Sequence, residues 1–125
     1  MSSKATRIAV WVVCVLLALE YAFAGITKLI GQDEAVQGFR QAGFGDGFRL
    51  FIGAAEAAGA IGLLVLRLRF WAASGLTIIM IGALATHVRA GDPVAKMAPA
   101  AISLVLLVLT AWTTRPRRAP GAAQP

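Results

Sequence analysis

Polar and apolar positions along this chain fall into long blocks rather than short alternations. An apolar run begins at Ile8 and continues to about Ile30; three more follow, from Phe48 to Leu66, Phe70 to Val88 and Val94 to Trp112. At 1.5 Å per residue, a run of roughly 20 residues crosses a ~30 Å hydrocarbon core, so every block has spanning length. The blocks lack the two-residue period of barrel strands and are too few to close a barrel, whereas a helix satisfies its own backbone hydrogen bonds within lipid. The pattern therefore predicts an all-α fold, a four-transmembrane-helix bundle with spans over about 8–30, 48–66, 70–88 and 94–112. The membrane domain covers 8–112, preceded by a short segment 1–7 and followed by a basic, proline-rich tail 113–125 of the composition that stays disordered. The basic start resembles a signal peptide, but the first run is too long for one and reads as a retained span.

Composition agrees with this partition. With 58% hydrophobic and 14% charged positions and a mean hydropathy of +0.75, the chain has more apolar side chains than one soluble core of its length can hide. The net charge of +6 is read by location. With four spans, the N-terminus, the "RLR" hairpin and the tail share one side and carry Lys4, Arg7, Arg67, Arg69, Arg115, Arg117 and Arg118 without an acid among them. The other side holds Arg40, Arg49, Arg89 and Lys96 together with Asp33, Glu34, Asp46 and Asp92. Lysine and arginine bias predicts an N-in, C-in orientation, and Trp11, Trp71 and Trp112 all fall at span ends on that inner side, as an interfacial belt would. Basic residues that flank spans report orientation, so a nucleic-acid partner is excluded. The single cysteine, Cys14, allows neither a disulfide within the chain nor a thiol redox pair.

The connections differ in kind. About three residues join spans two and three, which makes them antiparallel neighbours. In the first outer loop, "GQDEAVQGFRQAGFGDG", Asp33 is placed to cap a short amphipathic helix whose Val36 and Phe39 share a face and which Gly43 ends; it is expected to lie flat on the outer membrane surface. Asp92 followed by Pro93 is a helix-start signal, and Pro99 predicts a kink near the outer end of span four.

Inside or just within the spans lie Glu20, Lys28, Glu56 and His87. All four fall in the outer half of the bundle, with both glutamates roughly 12–15 Å deep at 1.5 Å per residue. Helical angles set Lys28 about 80° from Glu20, put Arg49 on the stripe of Glu56 so that it can reach inward, and turn His87 toward the bundle. An intramembrane charge costs about 2.5–3.5 kcal/mol on insertion scales, so Glu56 must be buried between helices and held. Small residues four apart, Gly53 with Ala57, Ala55 with Gly59 and Ala58 with Gly62, permit the close helix approach this needs. Glu56, His87, Glu20, Lys28 and Arg49 are thus the candidate pocket residues. Two carboxylates and one histidine do not make a firm ligand set, so no metal site is expected.

The same residues carry a family resemblance. "FAGITKLIG" at the end of span one, the "GF" elements of the loop, "FIGAAEAAGAIGLL" opening span two and "GLTIIMIGALATHVRAGDP" closing span three together resemble the DoxX-like family of small four-helix integral membrane proteins, over residues 20 to 110. Lys28, Glu56 and His87 match the family pattern by position. The resemblance implies a multi-pass protein of the bacterial cytoplasmic (inner) membrane, associated with respiratory or oxidative-stress redox systems, including quinone-linked ones. It implies an accessory subunit rather than a stand-alone enzyme, with an outer-half pocket for a quinone-like amphipathic molecule. The alternative is a non-catalytic scaffold or assembly factor for partner membrane proteins. Expected partners are the lipid bilayer, a membrane redox protein and further copies of the chain. No flavin, haem or nucleotide motif names a substrate.

Overall fold

The computed structural model describes residues 3–116; of the tail 113–125, where disorder was expected, Thr113 and Thr114 complete the last helix and 117–125 lie outside the described residues. Five helices follow in order: α1 (Lys4–Leu29), α2 (Asp33–Gln41), α3 (Asp46–Leu64), α4 (Arg69–Ala90) and α5 (Val94–Thr114), with a single 3-10 turn, Leu66–Leu68, between α3 and α4. No strand occurs among the described residues. Helices α1, α3, α4 and α5 are each long and apolar enough to cross a membrane, and the side chains they leave exposed, such as Leu19, Phe23, Ile61, Ile78 and Val105, are those lipid would cover.

Local chemistry sets the ends of the helices. The Ser3 side chain accepts the Thr6 amide at the start of α1, satisfying one of the free N–H groups of the first turn. Gly43, with φ +87°, lies just past the end of α2, and Gly91, with φ +70°, ends α4; both adopt the left-handed conformation that costs glycine least. Two expectations for the loops change. Gln32, not Asp33, precedes α2, and no side chain caps that helix. Asp92 does not cap α5 either, because its carboxylate is drawn back to His87. Pro99, where a kink or loosened turn is expected, sits within α5 near its start, where the missing N–H removes only an early bond of the ladder.

Packing is uneven around the bundle. α1 lies chiefly on α3 and α4 on α5, α3 joins these pairs through α4, and α1 meets α5 only along a thin line. The result is a ring of four helices with a seam between the first and last. The closest approach is between α1 and α3, where a Cβ on Gly25 would stand 2.7 Å from the Gly53 carbonyl oxygen and 2.8 Å from the Ala57 amide nitrogen. On the far side of α3, Gly59 faces Leu76 and Gly62 faces Ala72 of α4. The small residues of α3 are thereby spent on neighbours within the chain, although Ala58 is exposed. The apolar core, built from Leu17, Ala18, Tyr21, Ala60, Leu63, Ala73, Leu76, Met80 and Leu107, fills the middle of the ring and the half nearer the α3–α4 hairpin. Lys28, Arg49 and Glu56 lie in the other half, while Arg69 is buried at the hairpin end.

Candidate functional site

The close α1–α3 contact determines what happens to the buried acid. With two glycines at the crossing, the Lys28 stem lies against Gly53, and its ammonium reaches Glu56 Oε1 at 2.8 Å; the glutamate side chain is 3% exposed and the lysine 18%. The approach is that of an ion pair rather than an aligned hydrogen bond, since Oε1 has no hydrogen-bond donor of proper geometry. Lys28 also reaches the Ala24 carbonyl at 3.4 Å. Lys28, near the outer end of its span, therefore turns inward instead of toward headgroups. In a low-dielectric interior each charge makes the other tolerable.

Arg49 takes a different place from the one its helical angle suggests. It is buried, but its guanidinium donates to the Lys28 carbonyl at the end of α1 and lies 3.8 Å from Asp46, not against Glu56. Two helical turns, about 10 Å, separate it from Glu56 on α3, whereas the free carbonyls at the C-terminus of α1 are adjacent and attract a cation. Arg49 thus fixes the backbone from which Lys28 projects. Arg69 does the equivalent at the opposite end. It is 3% exposed, its Nε donates to the Leu63 carbonyl at 2.7 Å, and its guanidinium stacks 4.1 Å from the centre of the Trp11 ring. This ties the N-terminal end of α1 to the hairpin, a role that counting basic residues for orientation did not expose.

Glu20 belongs to another interface. It is exposed along the seam between α1 and α5, and one of its oxygens accepts a 2.6 Å hydrogen bond from the Ser103 hydroxyl of α5. Ser103 is itself 3% exposed. Tyr21, the next residue, turns into the core at 1% exposure, and its buried hydroxyl makes no hydrogen bond of proper geometry. Sequence reasoning missed both neighbours of Glu20. The available signals were the one tyrosine of the chain, adjacent to the acid, and a serine interrupting the apolar run of α5.

His87 joins neither group. Its Nδ1 is 2.6 Å from Asp92 Oδ2, across the left-handed turn at Gly91, and it lines an open cleft of ≈ 650 Å³ between α2 and the α4–α5 turn. The five candidates therefore divide three ways: Lys28 with Glu56 at the α1–α3 contact, where Arg49 holds the end of α1; Glu20 with Ser103 between α1 and α5; and His87 in a separate outer cleft. No cluster of three or more metal-binding side chains occurs among the described residues. The DoxX-like family matches residues 12–111 of the chain. No curated protein and no solved structure matches it.

Proposed function

Because the chain belongs to the DoxX-like family across most of its length, we propose that it acts in the membrane as an accessory subunit of a redox or oxidative-stress system that binds a quinone-like amphipathic molecule at the α1–α5 seam. The observation that carries this reading is Glu20: a carboxyl group deep within the span, satisfied by Ser103 on one side only and exposed where α1 meets α5. A mid-membrane acid left half-satisfied costs energy unless something polar meets it. A lipid-soluble molecule with a ring carbonyl and a ring hydroxyl supplies the further hydrogen bond that the exposed Glu20 carboxyl lacks. The seam opens toward lipid, from which such a molecule would enter. Glu20 would contact the ligand, while the buried Tyr21 lies behind it and Lys28, Glu56 and Arg49 hold α1 in position.

The scaffold alternative draws on small-residue faces for docking other proteins: Gly25, Gly53 and Gly62 are buried by this chain's own helices, while Gly75 and Gly82 of α4 stay open to a partner. The test is equilibrium binding of a fluorescent quinone analogue to the purified protein in nanodiscs. Glu20→Leu should weaken binding by about five- to tenfold, the worth of a hydrogen bond of roughly 1 to 1.5 kcal/mol. His87→Ala should leave it unchanged. Equal affinity for wild type and Glu20→Leu, with helicity retained in both, would remove the seam as the site.

A further inference from the structure

The outer cleft is built from two walls that carry opposite charges. On α2, Glu34 and Gln37 line one side; on the α4–α5 turn, His87, Arg89, Asp92 and Lys96 line the other. Asp92 is committed to His87 at 2.6 Å and only loosely to Lys96 at 3.9 Å. Glu34 and Arg89 take part in no ion pair among the described residues, although both face the same cavity. A cavity that keeps an unpaired anion on one wall and an unpaired cation on the other is complementary to a molecule bearing both signs.

From this geometry we infer that the cleft between α2 and the α4–α5 turn binds a zwitterionic amine-phosphate group of the phosphoethanolamine type. The phosphate faces Arg89 and Lys96, whose guanidinium and ammonium groups donate to its oxygens. The primary ammonium faces Glu34 and the side-chain carbonyl of Gln37, both acceptors of N–H bonds. A quaternary ammonium has no N–H to give and loses those bonds, so the cleft discriminates between amine types. At ≈ 650 Å³ the space is of the order that small-molecule sites occupy. Its position supplies the ligand as well: α2 is an amphipathic surface helix at the ends of the spans, the level at which phospholipid headgroups lie. The site is independent of the seam, and loss of quinone binding would leave it standing.

The experiment is native mass spectrometry of the full chain released from nanodiscs of equal phosphatidylethanolamine, phosphatidylcholine and phosphatidylglycerol content. The ethanolamine lipid should be retained over the choline lipid by roughly two- to fivefold, the factor a partly exposed ion pair supplies. Glu34→Ala combined with Gln37→Ala, which removes both acceptors, should erase that preference, and Arg89→Gln should lower retention of the ethanolamine lipid itself. All three side chains are exposed, so neither variant threatens the fold. Thermal shift of lipid-depleted protein with soluble glycerophosphoethanolamine identifies the source: stabilisation equal to that by intact lipid assigns a free solute to the cleft, and stabilisation by lipid alone assigns a bilayer headgroup. Equal retention of ethanolamine and choline lipids by the wild type, or a preference that survives both variants, overturns the inference.

Discussion

Replacing Gly25 with alanine probes the contact on which the intramembrane cluster depends. The added Cβ would lie 2.7 Å from the Gly53 carbonyl oxygen, 2.8 Å from the Ala57 nitrogen and 3.2 Å from the Ala57 Cβ, and two of these atoms are backbone that cannot rotate aside. Ordinary contacts between such atoms are about 3.5 Å or more, so α1 and α3 must part by somewhat under ~1 Å. Overpacking of this kind costs about 1–3 kcal/mol, while alanine gains about 1 kcal/mol over glycine in helix propensity. Gly75→Ala on α4 is the matched control, because nothing lies within 4 Å of its new methyl group and it takes the propensity gain without the clash. The difference between the two variants therefore isolates packing and should be about 1–3 kcal/mol against Gly25→Ala. It is read from far-ultraviolet circular dichroism during unfolding in mixed micelles of rising denaturing-detergent fraction. Gly25→Ala unfolding at the same fraction as Gly75→Ala would refute the α1–α3 crossing described here.

Removing one member of the buried ion pair and then both distinguishes charge from shape. Lys28→Met strands the Glu56 carboxylate and should destabilise by about 3–5 kcal/mol, whereas Lys28→Met combined with Glu56→Leu should recover most of that loss in the same unfolding assay; a double variant no better than the single one would show that the pair is not the source. Reporter fusions test orientation: probes at the N-terminus, in the Arg67 to Arg69 hairpin and after Thr114 should all read cytoplasmic, and an opposite reading at any of them would reverse or break the four-span arrangement.

Much of the architecture was written in the one-dimensional pattern. Block length and backbone satisfaction in lipid leave few choices, so four spanning helices and a short surface helix followed from the sequence, as did the burial of Glu56. Glycine and alanine spacing on α3 pointed to close helix contact, because a missing side chain can be read without knowing what approaches it. The partners of each charge could not be read this way. Helical angles say which way a side chain leaves its own helix, but not which neighbour stands there. They put Arg49 on the stripe of Glu56, yet the nearer carbonyl end of α1 captured it. They separated Lys28 from Glu20 correctly, but only the ring order of the helices sent Lys28 to Glu56 on α3 and Glu20 to Ser103 on α5. His87 was aimed at the bundle by its angle and was taken instead by Asp92, five residues on, because the left-handed turn at Gly91 folds that carboxylate back onto the ring. Which charges meet is decided by distances of a few ångströms between separate helices, and those distances exist only once the bundle has closed.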